Sequence, residues 1–238
     1  MPQCVTLSLF RFDRMRDRLW AFGQMGLSRR ALARTPGLRF WKLCGSGIGE
    51  GFTPIPNTAV WAILGAWEND AAARRACACA EGRVHQRFRR HASEDWTVML
   101  RPASARGHWS GTRPFAPETA DAPAAGPIAA LTRATLRPRD LHRFWARSPD
   151  ISAAIGRDPN VIFKIGIGEV PWLQQVTFSI WPDAAAMAAF ARRGPHADAI
   201  SAVRAGGWFA EELYARFSIL DDMGSWGGGS PLARLEAA

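Results

Sequence analysis

Phe40-Trp41-Lys42-Leu43-Cys44-Gly45-Ser46-Gly47-Ile48-Gly49-Glu50-Gly51 decides the fold, because the chain repeats it at Ile162-Phe163-Lys164-Ile165-Gly166-Ile167-Gly168-Glu169. Both copies read as a short apolar strand with a central lysine, then alternating glycines, then a glutamate. The echo continues on either side. Residues 61–67 followed by Asp70-Ala71-Ala72-Ala73 parallel residues 176–181 followed by Asp183-Ala184-Ala185-Ala186. Residues 96–100 parallel 216–220, and Trp109-Ser110-Gly111 parallels Trp226-Gly227-Gly228. A shared order of this length reads as a tandem duplication, and a repeat has to be found before a fold is assigned.

Hydrophobic periodicity gives each half the same plan. In the first half, strands are expected at 5–12, 40–44, 59–67 and 96–100. One helix follows Asp13, with Met15, Leu19 and Phe22 at helical spacing and Gly23 and Gly26 closing the run, and a second runs from Asn69 or Asp70 through Phe88 towards His91. In the second half, strands are expected at 128–136, 161–167, 174–181 and 215–220. Helices lie over 139–146, from Asp183 past Met187 and Phe190, and over 197–214 with a break at Gly206-Gly207. Four prolines among small residues over 112–127 mark a linker, taken as 116–127. The fold class is α+β: two ferredoxin-like βαββαβ units, residues 1–115 and 128–230, with 231–238 as a loose tail. Such a unit has helices on one sheet face only, so its bare face must be covered. Two copies can cover each other and form a pseudo-symmetric barrel, with ligand space between sheet and helices.

The composition narrows the function classes. At 47% apolar, the 238 residues can build a full core. Thirteen Phe and eleven Trp against one Tyr also suit a large flat or elongated apolar ligand. The formal charge of +9 is almost wholly arginine, yet no basic block is long enough for a nucleic-acid tail, so nucleic acid is not expected as a partner. Four cysteines, two of them as Cys77-x-Cys79, form neither a disulfide framework nor a zinc knuckle and read as reduced thiols. No signal peptide and no membrane-spanning run stand out, which points to a cytoplasmic chain, soluble or peripherally attached.

The glycine run is not a dinucleotide fingerprint: position 50 is Glu, and the run lies between two strands instead of opening a helix. Gly45, Gly47, Gly166 and Gly168 are expected to serve turns or bulges. Lys42 and Lys164 are either anchors for an acidic group or, as the plainer reading, solvated strand residues. Of the five histidines, His108 sits in a loop and His142 on an Arg-rich helix face. His85 and His196 occupy nearly equivalent places in the two halves. In Arg192-Arg193-Gly194-Pro195-His196-Ala197 a turn presents an imidazole, with Met187, Phe190, Ile200 and Trp208 near it in sequence. His196 is either structural or the proximal ligand of a haem iron, with Arg192 and Arg193 suited to the propionates. His85 is the runner-up and His91 third.

Three blocks carry a resemblance: Val5-Thr6-Leu7-Ser8-Leu9-Phe10-Arg11-Phe12; the 40–47 block with Gly49-Glu50-Gly51-Phe52-Thr53-Pro54; and Trp208-Phe209-Ala210-Glu211-Glu212-Leu213-Tyr214-Ala215-Arg216-Phe217. Together they resemble the spheroidene monooxygenase family, the carotenoid 2-ketolases of purple phototrophic bacteria, over all but the linker and tail. The resemblance implies a haem b enzyme that takes O2 and electrons from reduced ferredoxin. It would place a keto group at C-2 of spheroidene or hydroxyspheroidene, by repeated hydroxylation of one carbon and loss of water. It also implies a fold like the dimeric α/β-barrel haem proteins, in which a helix carries the proximal histidine; by position that helix holds His196. A carotenoid substrate implies peripheral contact with the inner, photosynthetic membrane. The cluster Arg74, Arg75, Arg83, Arg87, Arg89 and Arg90 could meet an acidic ferredoxin, lipid or water, and the oligomeric state stays open. Two other classes remain: a haem-binding or haem-degrading protein on the same fold, and a cofactor-free module for an apolar ligand.

Overall fold

A computed structural model of the protein describes residues 2–49, 53–78, 82–117, 126–146, 158–192 and 206–236. Eight strands run through them: β1 (Cys4–Arg11), β2 (Leu38–Gly47), β3 (Pro56–Trp67), β4 (Glu94–Gly107), β5 (Ile128–Leu136), β6 (Phe163–Gly168), β7 (Gln174–Trp181) and β8 (Phe209–Gly224). All pairs are antiparallel, and they close into a barrel in the order β1-β3-β2-β6-β7-β5-β8-β4. Strands of the first half lie in the order β4-β1-β3-β2, and those of the second in the order β8-β5-β7-β6. The two sheets join along β2–β6 and β4–β8 and face one another across a shared interior.

Strand alternation sorts the side chains. Val5, Leu7 and Leu9 of β1, Ala62 and Leu64 of β3, Val98 and Leu100 of β4, and Val176, Phe178 and Ile180 of β7 point into the barrel, which they fill with Trp96, Trp109 and Phe115. The barrel is a packed core, not a pore. Outside the first sheet lie α1 (Met15–Leu27), α2 (Arg29–Ala33), α3 (Asp70–Cys77) and α4 (Arg83–His91). They cover Phe10, Leu43, Trp61, Ile63 and Trp67. Asn69 caps α3, its Oδ1 accepting from the Ala72 N–H at 2.9 Å. On the second sheet, Asp183 caps α5 (Ala184–Ala191) in the same way, accepting from Ala186 N–H at 2.7 Å.

Both ends of the barrel are closed by the same device. After β4, Trp109 is buried and Ser110 and Gly111 take positive φ (53° and 73°), so that their N–H groups converge on the Glu211 carboxylate of β8 at 3.0 and 2.7 Å. After β8, Trp226 packs against the core, Gly227 and Gly228 take positive φ, and the Gly228 N–H donates to Glu94 of β4 at 2.9 Å. An arginine accompanies each: Arg133 pairs with Glu211 and lies 5.7 Å over the Trp109 ring, and Arg11 pairs with Glu94 at 2.9 Å and lies 4.5 Å over Trp226. Residues 225–232 are therefore tied to the barrel, Leu232 included, and Ala233–Glu236 form a short helix where a tail was expected from 231.

The structure departs from the sequence reading in three further places. Residues 209–214 begin β8 instead of ending a helix, because Glu211, Leu213, Ala215 and Phe217 alternate inward; the remainder of the expected 197–214 helix lies outside the described residues, up to 205. Met15, Leu19 and Phe22 do share a face of α1, but they are 64%, 66% and 68% exposed, while Ala21 and Gln24 face the protein. The two lysines are not equivalent either. Lys42 pairs opposite Leu64 and points inward, whereas Lys164 pairs opposite Ser179 on the outer face. The strand registers align Trp41, not Lys42, with Lys164, and Leu43 with Gly166.

The glycine blocks meet each other. β2 and β6 are joined only by Gly45↔Gly168 and Ser46↔Ile167, and the β2–β3 register shifts between Gly45 and Ser46, a bulge. Gly166 by contrast sits in regular strand opposite Thr177. At Gly168 an added Cβ would lie 2.2 Å from the Gln174 carbonyl oxygen. Gly168→Ala is therefore expected to force the β6–β7 turn apart at a cost of about 2 kcal/mol, a Tm drop of roughly 4–8 °C by calorimetry. A Tm within a degree of the parent would show that this turn relaxes freely.

Candidate functional site

The weak β2–β6 seam lies at the bottom of a groove of about 870 Å³. One wall is Phe22 and Met25 of α1 with Trp41 and Trp61 on the outer face of the first sheet; Phe22 meets Trp61 edge-on at 6.1 Å. The other is the β6–β7 connection Val170-Pro171-Trp172. Trp172 takes φ 64°, and its Nε1 donates to the Pro54 carbonyl at 2.7 Å, tying this connection to the loop after β2. The walls are thus aromatic and aliphatic, suited to an apolar ligand.

At its inner side the groove meets a polar network. Lys42 Nζ pairs with Glu169 Oε2 at 2.6 Å and donates to Ser110 Oγ at 2.6 Å, while Trp109 Nε1 donates to Glu169 Oε1 at 2.6 Å. With its side chain only 14% exposed, Lys42 is an anchor and not a solvated strand residue. Burial opposes ionisation of Glu211, but the Gly111 and Ser110 N–H groups and Arg133 outweigh it and hold its pKa below the usual carboxylate value. The network was invisible in the sequence, because its members are 60 to 101 positions apart for Trp109–Glu169 and Ser110–Glu211.

The groove ends at Gly168 and Gln175, on the edge of the outer face of the second sheet. That face differs sharply from its counterpart. Where the first sheet places Leu43, Ile63, Trp61 and Phe10, the matching registers of the second hold Gly166, Thr177, Gln175 and Ala134. Thr132 and Tyr214 complete the row beside Thr177. Among the described residues, α5 covers only the end of this face, with Met187 against Ile128 and Trp181. The second sheet is cleared of bulk where the first is filled.

The candidate ligands fall in different places. His196 and Arg193 lie outside the described residues, and Arg192 closes α5 with its Nε donating to Ala188 O at 3.1 Å. His85 is buried between α4 and the first sheet, 3.5 Å from Cys77 Sγ and against Phe10 and Trp67. Burial and the Arg89 charge push its pKa down to about 3, so it is neutral, but it does not line the groove. His91 stacks on Trp20 at 4.0 Å and meets Asp17 at 3.0 Å. Cys4, Cys44 and Cys77 are free and buried, and burial pushes their thiols up, Cys77 to about 11. No cluster of three His, Cys, Asp or Glu suited to a metal occurs among the described residues. Of the arginine cluster, Arg74 is paired with Asp221, Arg89 with Asp95, and Arg87 donates to Gln24. No described helix is long and apolar enough to cross a membrane.

Comparison with known proteins places this barrel. In fold it is similar to aldoxime dehydratase (TM-score 0.59, 13% identity, 92% of this chain and 82% of that one) and to an aldoxime dehydratase in complex with butyraldoxime (TM-score 0.61, 13% identity, 92% and 80%). At that identity the likeness shows the fold alone. No family model matches the chain. In sequence it is 53% identical over 238 residues to spheroidene monooxygenase of Cereibacter sphaeroides, covering 99% of this chain and 72% of that protein. Against the enzyme of the same name from Rhodobacter capsulatus it is 53% identical over 230 residues, 96% and 95% of the two chains. The Rubrivivax gelatinosus protein is 38% identical over 211 residues. The chain belongs to the spheroidene monooxygenase family.

Proposed function

We propose that the protein is a haem-dependent carotenoid oxygenase that introduces a keto group at C-2 of spheroidene or hydroxyspheroidene, using O2 and electrons from reduced ferredoxin. The observation that carries the carotenoid part is the 53% identity along nearly the whole chain to proteins named for oxygenating spheroidene. The haem rests on the cleared sheet face. A porphyrin is a flat, largely apolar disc, and the run Gly166, Thr177, Thr132 and Ala134 provides a surface without bulk that such a disc can lie against. Of the residues proposed to hold it, Arg192 is described, while His196 and Arg193 lie outside the described residues. His196 is the proposed iron ligand, with Arg192 and Arg193 for the propionates. On the same reading the recurring strand order and the twin Trp-turn-Glu closures descend from a tandem duplication, in which only the second copy kept room for a cofactor.

When bound, the haem supplies O2 activation and the one-electron steps. The chain's own residues do the rest. The groove between α1 and Trp172 receives one end of the polyene, and its aromatic walls exclude water. Gly45 and Gly168 keep the seam low enough for the chain end to pass to the cleared face. Lys42 and Glu169, locked in an ion pair, hold the inner side of the groove in shape and present no free base. Each hydroxylation consumes one O2, two electrons and two protons and releases one water; a second at the same carbon gives a gem-diol, which loses water to become the ketone.

Purified protein reconstituted with haem is expected to show a Soret band and, with O2, reduced ferredoxin and spheroidene, to form the 2-keto product by chromatography. His196→Ala is expected to lose stoichiometric haem, with imidazole restoring part of the spectrum. A parent-like Soret band in His196→Ala would overturn the ligand assignment, and biliverdin-like absorbance without ketone would overturn the oxygenase reading.

A further inference from the structure

We propose that the outer face of α1 and α2, together with the groove's rim, seats the protein on an anionic lipid surface. Helix α1 packs Trp20, Ala21 and Met25 against the protein, yet it is apolar on its outer side too. Gln24 is 2% exposed and satisfied by Ser28 Oγ at 2.9 Å and Arg87 Nη2 at 3.2 Å, while Met15, Leu19 and Phe22, spaced four and three residues apart, form a stripe facing away from the protein. Leu27, 73% exposed, follows at the end of the helix. Scattered apolar residues on a surface need no explanation, but a continuous helical stripe with a buried glutamine behind it does.

The stripe does not stand alone. Phe22 also forms one lip of the groove, and the opposite lip presents Val170 and Trp172, 41% and 53% exposed, near Ile55 at 57%. Apolar exposure thus runs across the mouth of the groove from one half of the barrel to the other.

Charge decides the occupant. Residues 14–39 contain seven arginines (14, 16, 18, 29, 30, 34 and 39) and a single acid, Asp17, which is held by His91 at 3.0 Å and Arg16 at 3.6 Å. Arg39 pairs with Glu68 and Arg18 donates to the Phe12 carbonyl, while Arg14, Arg30, Arg34 and Arg29, the last lying 5.3 Å over the Trp41 ring at the groove, are exposed cations on and next to α1. An apolar face bordered by arginines is the pattern of a helix lying in the headgroup region, with the apolar side chains among acyl chains and the guanidinium groups among phosphates. A second copy of this face would bring the arginines of two molecules together, which disfavours a dimer as its cover. This proposal stands on the surface alone and does not depend on the oxygenase reading; if both hold, the groove opens into the acyl phase.

The test is co-sedimentation of the full chain with vesicles of phosphatidylcholine, with and without phosphatidylglycerol. Binding is expected to the anionic vesicles and to weaken as salt rises. Met15→Ser with Leu19→Ser, at exposed positions that do not line the groove, is expected to bind roughly tenfold more weakly at unchanged circular dichroism and Tm. Arg29→Gln with Arg30→Gln should lose much of the preference for phosphatidylglycerol, and Leu220→Ser, an exposed apolar site on β8, should change nothing. The proposal is overturned if the parent ignores anionic vesicles, if Met15→Ser with Leu19→Ser binds as the parent does, or if sedimentation equilibrium finds a dimer that these substitutions dissociate.

Discussion

Thr177→Ile combined with Ala134→Phe is expected to give a folded protein that takes up less than about a tenth of the parent's haem. These substitutions put back on the second sheet the side chains that the first sheet carries at the matching registers, Ile63 and Phe10. In the first half those residues help fill the helix–sheet interface completely. In the second they would occupy the place proposed for the porphyrin, and overpacking of a well-fitted space costs on the order of 1–3 kcal/mol for each intrusion. Two such penalties correspond to a loss of tenfold or more in affinity. The measurement is the Soret-to-protein absorbance ratio after reconstitution, with Tm as the check on folding. Thr177→Ser, which adds no volume, is the companion that should load normally. Full haem loading in the bulky variant would move the cofactor off this face.

Glu211→Gln is expected to destabilise the protein by about 3 kcal/mol near neutral pH, a Tm drop of roughly 10 °C. Arg133 is only 1% exposed, its Nη1 is held by Glu211, and its Nε finds no partner among the described residues. Removing the acid alone leaves a buried cation uncompensated, which is the costly way to break such a pair. Arg133→Met added to Glu211→Gln should recover part of the loss, since the amide oxygen can still accept one of the Ser110 and Gly111 N–H groups, which donate to different oxygens of the acid, while the thioether lies on Trp109. The sign with pH follows from Glu211's lowered pKa. A carboxylate depressed on folding contributes fully above its unfolded pKa, and that contribution is lost as pH falls through the folded value. Parent and Glu211→Gln should therefore converge in strong acid, as should variants at Glu94, where burial opposes ionisation but the Gly228 and Gly227 N–H groups and Arg11 prevail. Chemical denaturation near neutrality and in acid reads both; an undiminished gap in acid would contradict the assignment.

Much of this architecture was legible along the chain, for identifiable reasons. Period-two alternation located β7 at 174–181, and the Asn69 and Asp183 caps stand one residue before the helices they open. The repeated glycine blocks stood out as a repeat, but that the two meet where β2 joins β6 was not legible in them. What stayed hidden depends on the third dimension. Helical spacing told that Met15, Leu19 and Phe22 share a face but not on which side of α1 the sheet would lie. The 208–217 segment contains apolar residues compatible with either period, and only the pairing of β8 with β5 selects strand. Lys42 looked like any strand lysine until chain closure brought Glu169 and Trp109 to it. A one-residue difference in register, undetectable in an ungapped alignment, sends Lys42 inward and Lys164 outward.

The barrel is fastened unevenly. β4 and β8 share eleven residue pairs, whereas β2 and β6 share two. One side is a spine and the other a clasp. Local opening follows the fewest backbone bonds, so amides at Ser46 and Ile167 should exchange with solvent well before those of residues 96–107. A breathing motion confined to the clasp would part the groove's two walls, hinge on the spine and leave the helix-covered outer face of the first sheet intact. Passage of a long, stiff molecule along the seam would then require no unfolding, only the release of two residue pairs and of the Lys42–Glu169 and Trp172–Pro54 links that span them.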